Sequence, residues 1–417
     1  MNGRAVGVKK PELRLNPVVS EMPEAVSIFV NQMVYDYRKA GEDVVTLSLG
    51  EAFFDVPLFD FNSLDVEKSF HYSESRGLLG LRRRFADYYA DRLNATVDAE
   101  SEVLISAGSK SIIFMAMLAA LSPGDEVLIP EPAWLSYPEQ ARLIGAVPRF
   151  IPHDKETSAF VEYITARTRM LILCNPNNPA GRIFSASELL DLYRICRERG
   201  IYVMVDEAYS EFVTDGPFTS MASLVPDKDG IIVINSISKS MGMSGWRIGY
   251  AISHKSFISQ LLKVNQHIVT CAPTILLMYC EKYFSNILSL TLPQARLVTE
   301  KRDLVRDIMD KVGLRYLRGS ATFYFFVSIG NFPGSSSEFA LSLLLNKKIA
   351  VVPGSAYGES TDRFVRVSIG TESIERITAA LSDIFELTKV NTFDRDQLAE
   401  QRLRFRDRLA ADELSLN

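Results

Sequence analysis

Cysteine and histidine are scarce in this sequence. Four of each occur among 417 residues, and Cys174, Cys196, Cys271 and Cys280 form no CxxC pair. Neither a structural zinc site nor a disulfide framework is expected, and the cysteines read as reduced thiols. Surplus positive charge is also missing: 46 Lys and Arg stand against 51 Asp and Glu, for a net charge of −5. No bulk basic field exists to hold nucleic acid or an anionic membrane. Long apolar runs are absent too. The longest, Ile112 to Leu121, has about half the roughly 20 residues that a spanning helix needs, and it ends in the turn residues Ser122-Pro123-Gly124. Met1 to Pro23 is polar, contains prolines and has no apolar signal core. Internal repeats and low-complexity linkers are lacking as well. The expectation is a cytoplasmic enzyme or binding protein with no metal site. At 417 residues it is too long for one ordinary core and calls for two or more folded units.

What is present is an alternation of short apolar runs and helical patterns between about residues 70 and 290. Val103–Ser106, Asp125–Ile129, Met170–Cys174, Tyr202–Val205 and Ile231–Ile234 read as strands. Ser109–Leu121, Tyr137–Ile144 and Ser187–Arg199 read as helices between them, the last capped by Ser185 or Ser187. Continuous apolar strands are those buried on both faces of a largely parallel sheet, so the fold class is α/β with helices on both sides. Before this region, Ala25–Lys39 reads as a helix and Val44–Leu47 as a strand. After it the texture is α+β: a long helix from Leu292 to Val312, a strand Thr322–Val327, a helix Ser337–Leu345, strands around Val351 and Val365, and a helix Ile374–Thr388. The tail from Asp394 reads as an amphipathic helix with Leu398, Phe405 and Leu409 on one face.

Four stretches carry chemistry. Ser236-Ile237-Ser238-Lys239 follows an apolar strand, and Arg247 comes eight residues later. A serine three before a lysine is a common pattern, and a surface lysine is its plain reading. A lysine at a buried strand end, however, has a lowered pKa and a nucleophilic neutral amine, and a hydroxyl with an arginine offers a phosphate seat. Asp206 closes another apolar strand, with Tyr209 three residues on. It is either a helix cap or the partner of a cation such as a pyridinium nitrogen. Asn175-Pro176-Asn177-Asn178-Pro179-Ala180-Gly181 is either a simple tight turn or a rigid loop that holds Asn178 at a strand's carboxyl end, where open α/β sheets bind ligands. Ser106-Ala107-Gly108-Ser109-Lys110 joins strand to helix, and such a turn can hold phosphate on backbone N–H groups and the helix dipole.

Together these stretches resemble the class I aminotransferases of the fold-type-I pyridoxal-phosphate enzymes, the aspartate aminotransferase-like group, and the bacterial-type subgroup most closely. The resemblance spans about residues 44–388. It includes Leu47-Ser48-Leu49-Gly50-Glu51 with Phe54, Asp55 and Pro57; Tyr72, Gly77, Leu81 and Arg82; Trp134-Leu135-Ser136-Tyr137-Pro138; Val351-Val352-Pro353-Gly354-Ser355; and Phe364-Val365-Arg366-Val367-Ser368, all in the expected order.

The resemblance implies a large domain with a mostly parallel sheet flanked by helices, plus a smaller α+β domain, and pyridoxal 5'-phosphate as cofactor. It implies that Lys239 joins the cofactor as an imine and moves the proton between substrate Cα and cofactor C4′. Asp206 would pair with the pyridine nitrogen, and Tyr209 and Asn178 with the ring's O3′. Ser236, Arg247, Gly108, Ser109 and Lys110 would hold the phosphate, joined by Tyr72 from a second subunit, so that a homodimer would have composite sites. Trp134 would stack on the ring, and Arg366 would clamp the substrate carboxylate, with Gly50 lining that end. The implied reaction moves an amino group from an L-amino acid to a 2-oxo acid, ping-pong, through aldimine and ketimine intermediates. The implied units are an arm and the start of the small domain (1–58), the cofactor-binding domain (59–290), the small domain (291–388) and a charged tail (389–417).

The sequence departs from the family pattern at Ala180, Ala52 and Phe53, where many members carry Thr, Pro and Asp. These departures bear on substrate choice. Lys110 is either a solvated lysine on a first helical turn or, as in some bacterial-type relatives, the contact for the distal carboxylate of an aspartate- or glutamate-type substrate. The same site can also run C–S β-elimination or a specialised biosynthetic reaction. A regulatory protein built on this domain would need a basic DNA-binding module ahead of it, and only about forty residues precede the entry motif, with no recognition helix.

Overall fold

The computed structural model describes residues 13–214 and 216–403. Twelve strands occur among them: β1 (Val45–Thr46), β2 (Val103–Ser106), β3 (Glu126–Pro130), β4 (Val147–Ile151), β5 (Thr168–Cys174), β6 (Tyr202–Asp206), β7 (Ile231–Ser236), β8 (Gly249–Ser253), β9 (Tyr324–Ser328), β10 (Ile349–Ala350), β11 (Val352–Pro353) and β12 (Phe364–Ser368). Seven form the central sheet in the order β2-β8-β7-β6-β5-β3-β4. β8 runs antiparallel to both neighbours, and every other pairing in this sheet is parallel.

Strand periodicity explains why the central runs are apolar throughout. Along β5, Met170, Ile172 and Cys174 point into one core while Leu171 and Leu173 point into the other. β6 and β7 divide in the same way, Met204, Ile232 and Ile234 on one side and Val203, Val205, Ile231 and Val233 on the other. One face is covered by the helices Ser109–Ala120 and Lys255–Ile268, which contribute Ile112, Ile113, Phe257, Ile258 and Leu261. The other is covered by Leu79–Leu93 and Ala186–Glu198, through Leu81, Phe85, Leu189 and Leu192. Burying each such side chain contributes about 1.5–3 kcal/mol. The helix Ala186–Glu198 is started by a capping box in which Ser185 accepts from the Glu188 N–H and the Glu188 carboxylate accepts from the Ser185 N–H. Ser185, rather than Ser187, is therefore the cap.

A helix of 39 residues, Thr274–Val312, connects the two halves of the chain and runs through position 290 without a break. Its buried face begins with Leu277, Cys280, Phe284 and Ile287 in the sheet's second core and continues with Ala295, Val305 and Met309 in the first. Beyond it, β9, β11 and β12 form an antiparallel sheet in the order β11-β12-β9, and β1 pairs in parallel with β10, tying the N-terminal segment to this unit. β9 starts at Tyr324, two residues later than the apolar run suggests, because Thr322 is in the left-handed region at φ 66°. Residues 395–403 are helical and Leu398 is buried, whereas Phe405 and Leu409 lie outside the described residues. No helix among the described residues is long and apolar enough to cross a membrane.

Candidate active site

Parallel pairing aligns the carboxyl ends of three central strands. Cys174 lies opposite Asp206 in the ladder, and Asp206 lies opposite Ile234, two residues before Ser236. Loops leaving these ends bound a cavity of about 200 Å³. Of the residues singled out from sequence, it gathers Gly50, Ser109, Lys110, Trp134, Asn178, Asp206, Tyr209, Ser236, Lys239, Arg247 and Arg366. Gly108 lies directly behind Arg247. Tyr72 is the exception: its side chain is 86% exposed and does not line the cavity of its own chain.

At the floor, Lys239 Nζ donates to the Gly50 carbonyl at 2.5 Å. Burial pushes its amine down to about 8, against an upward pull from Glu51 and Asp206; Arg366 and Arg247 lower it further. Asp206 is buried, and its Oδ2 accepts from Tyr137 Oη at 2.7 Å and its Oδ1 from the Ala208 N–H at 3.2 Å. Burial raises its pKa, and those two hydrogen bonds and the Lys239 charge oppose the rise. Its neighbour Glu207 points to the opposite face of the strand. There it accepts from Ser220 Oγ and the Met221 N–H, and burial pushes its carboxyl up to about 8.

On one wall, Asn178 Nδ2 donates to Tyr209 Oη at 3.2 Å, and Tyr209 Oη lies 3.0 Å from Tyr324 Oη. The Asn175–Pro176 and Asn178–Pro179 bonds of this loop are cis. Asn178 Oδ1 is buried without a partner. Trp134 meets Tyr137 edge-on at 5.1 Å, and Lys110 Nζ sits 5.1 Å from the Trp134 ring centroid. Desolvation and the Arg247 charge hold the Lys110 amine below its usual pKa.

The opposite end belongs to the later sheet. Arg366, on β12, is buried; its Nη2 donates to the Ser48 carbonyl at 2.6 Å, while its Nε has no partner. Its guanidinium lies 4.5 Å from the Tyr324 ring centroid and 5.5 Å from that of Tyr357. A guanidinium flanked by ring faces keeps its donor edge free for a carboxylate.

A third region is built for an anion. The helix Ser109–Ala120 starts at Gly108, φ 86°, without a side-chain cap, which leaves its first N–H groups open. A Cβ on Gly108 would lie 2.4 Å from Arg247 Nη2, so glycine lets the guanidinium close over the helix start. Arg247 is itself held at φ 55°, with Nη1 donating to the Ser244 carbonyl at 2.7 Å. Ser236, Ser238 and Ser244 add hydroxyls on this side.

Reading the sequence missed several cavity residues. Ser27 and Asn31 come from the helix Val26–Lys39, Cys174 from the end of β5, and Tyr324 from β9. Tyr324 sits in an aromatic run that reads as core, and Asn31 is an ordinary polar position on an amphipathic helix, so nothing local marked either of them. Tyr137 falls inside the quoted Trp134–Pro138 stretch, but its bond to Asp206 needs the fold to be seen.

The family model for aminotransferase class I and II matches residues 33–384. The aspartate aminotransferase of Thermotoga maritima is 30% identical over 381 residues, covering 88% of this chain and 97% of that protein. Aromatic-amino-acid aminotransferase 2 of Thermococcus litoralis is 28% identical over 383 residues, covering 89% and 98%. Among solved structures, aspartate aminotransferase from Thermus thermophilus with maleate superposes at a TM-score of 0.82 with 27% identity, covering 90% of this chain and all of that one. Because that family model matches residues 33–384, most of the chain, the chain belongs to the class I and II aminotransferases.

Proposed function

We propose that this pyridoxal 5'-phosphate-dependent aminotransferase moves an amino group from an L-amino acid to a 2-oxo acid in two half-reactions that share one site, with a dicarboxylic substrate of the aspartate or glutamate type preferred. The observation that carries the reading is the meeting of three groups in one cavity: a lysine amine lowered to about 8, a buried aspartate and a buried arginine whose Nε is unpartnered.

The residues fit the cofactor. The uncapped helix start with Arg247 and three serines suits a phosphate. Asp206, buried without a full counter-charge, suits a protonated ring nitrogen. The unpartnered Asn178 Oδ1 and the hydroxyl of Tyr209 suit polar ring substituents. Bound there, the cofactor supplies an electron-withdrawing ring that stabilises the charge left when the substrate loses its α-proton.

The chain's own residues do the rest. With the cofactor bound, Lys239 would be the group that takes the proton from the substrate Cα and carries it to the cofactor. Asp206 would hold a proton on the ring nitrogen of the bound cofactor. Arg366 clamps the α-carboxylate, and its burial makes that bond stronger than it would be in water. Trp134 covers one ring face and excludes water. Lys110, at the Trp134 edge of the cavity, takes a second carboxylate. Tyr72 reaches the phosphate of a second copy, which makes the active unit a homodimer; its 86% exposure in the single chain supports this.

The test is a half-reaction screen in which the holoprotein is mixed with single amino acids and the visible cofactor band is followed. Conversion to the aminated cofactor with release of the matching 2-oxo acid is expected, fastest with aspartate or glutamate. Pyruvate and ammonia from a cysteine conjugate, without the aminated cofactor, would replace transfer by elimination.

A further inference from the structure

Two of the three hydrogen-bonding sites of Tyr209 are filled by its neighbours. A phenol oxygen has two acceptor sites and one proton. Asn178 Nδ2 donates to Tyr209 Oη at 3.2 Å, which fills one acceptor site, and Tyr324 Oη lies 3.0 Å away. Tyr324 is completely buried. It comes from β9 of the three-stranded sheet and is fixed by Arg302 Nη1, which donates to its carbonyl at 2.5 Å. The direction of the phenol–phenol bond follows from the charges around it. The Arg366 guanidinium is 4.5 Å from the Tyr324 ring centroid, whereas the nearest cation to the Tyr209 ring, Lys239 Nζ, is 6.0 Å away. The closer cation makes Tyr324 the more acidic phenol and hence the better donor. The other titratable groups that act on the pair are Cys174 on β5, which acts on both phenols, and Glu51 and Tyr357, which are coupled to Tyr324. Cys174 is a buried thiol.

We infer that Tyr324 is a positioning residue: its hydroxyl donates to Tyr209, fills that phenol's second acceptor site and so aims and strengthens the proton that Tyr209 presents to the oxygen of the bound cofactor ring. Each hydrogen bond in such a chain polarises the next. The same side chain lies against Arg366, so the carboxylate clamp and the cofactor wall share one aromatic ring. A Cβ on Gly50 would lie 3.2 Å from the Tyr324 hydroxyl, and glycine there keeps the space beside it open. The inference rests on the proposed seat of the cofactor against Tyr209.

The experiment is a pH titration of the visible cofactor band in the wild-type holoprotein, Tyr324→Phe and Tyr209→Phe. Losing the Tyr324 donor weakens stabilisation of the deprotonated ring oxygen, so the midpoint rises by about 0.5–1 pH unit in Tyr324→Phe. It rises further in Tyr209→Phe. A Tyr324→Phe midpoint equal to wild type, beside a shifted Tyr209→Phe midpoint, overturns the inference and leaves the proposed seat standing. A change confined to thermal stability or cofactor affinity, with an unmoved midpoint, overturns it in the same way. Midpoints unmoved in both variants overturn the inference and the proposed seat together.

Discussion

At the scale of the residue, the chemistry comes down to what burial does to a few charged groups. Lys239 loses hydration and its amine falls to about 8. Below that pH it is protonated and a poor nucleophile. The rate at which cofactor-free protein takes up pyridoxal 5'-phosphate in a borohydride-fixable form is therefore expected to climb about tenfold per pH unit below 8 and to level off above it. A rate that is flat from pH 6 to 9 would contradict the lowered amine. Lys239→Ala removes both the attachment and the proton carrier. Its transamination turnover is expected to fall by at least about 10²–10⁴-fold in single-turnover measurements. Lys110→Ala is expected to slow aspartate and glutamate relative to alanine by about 10-fold or more, the effect of one lost charge-assisted hydrogen bond; equal slowing of all three would remove Lys110 from side-chain recognition. Legibility varied at this scale. Lys239, Asp206 and Arg366 are polar residues in or beside apolar strands and stand out. Tyr324 does not, because one phenol in the run Phe323-Tyr324-Phe325-Phe326 has the same burial signature as its neighbours.

At the scale of the element, strand ends and helix starts set the geometry. Gly249 opens β8 where the helix Ser109–Ala120 begins, and a Cβ there would lie 2.2 Å from the Ser109 nitrogen. Gly249→Ala is expected to push that helix start outward, costing about 1–3 kcal/mol and weakening cofactor affinity along with stability. Calorimetry and a cofactor titration of the same variant check both. Ser185→Ala removes one half of a capping box far from the cavity, so denaturant unfolding is expected to show a loss of about 1 kcal/mol with cofactor affinity unchanged. The parallel strands β3, β5, β6 and β7 were readable because two-sided burial makes them largely apolar, whereas β8, with Gly249, Tyr250 and Ser253 in its five residues, was not. β4 was not: only Ile151 at its end is fully buried, as befits a strand at the sheet's edge. The helices Leu79–Leu93 and Lys255–Ile268 were also passed over. The first carries buried Arg82 and Tyr88 among its core positions, and the second has Asn265 on its buried face. The long helix read as starting at Leu292, eighteen residues later than it does. In the fold Pro293 lies inside Thr274–Val312, where Gln294 Nε2 donates to the Leu290 carbonyl and the Asp55 carbonyl.

At the scale of the whole molecule, the site is assembled from parts distant in sequence: Asn31 from the helix Val26–Lys39, Gly50 from the loop after β1, the ends of three parallel strands, and Arg366 from β12. Motif order pointed to this assembly, but pattern alone did not specify which strands adjoin, since β8 turns back between β7 and β2. If two copies share their sites, mixing Lys239→Ala with Tyr72→Ala protein restores activity. Each variant alone is weak, and a mixed pair has one site with both residues intact. Recovery after brief unfolding and refolding of the mixture, read as turnover against either variant alone, is the expected result; additive rates would make each chain self-sufficient.

The helix Val26–Lys39 sits outside the central sheet yet contributes Ser27 and Asn31 to the cavity, with Asn31 Oδ1 accepting from Ser48 Oγ at 2.7 Å. Asp206 is locked in a ladder of backbone bonds and Lys239 sits on the helical turn Ile237–Ser240 directly after β7; the outer helix is not part of that ladder. A laboratory search for variants with new amino-acid preferences should therefore collect its changes at Ser27, Asn31 and their neighbours, while Asp206 and Lys239 pass through every round untouched.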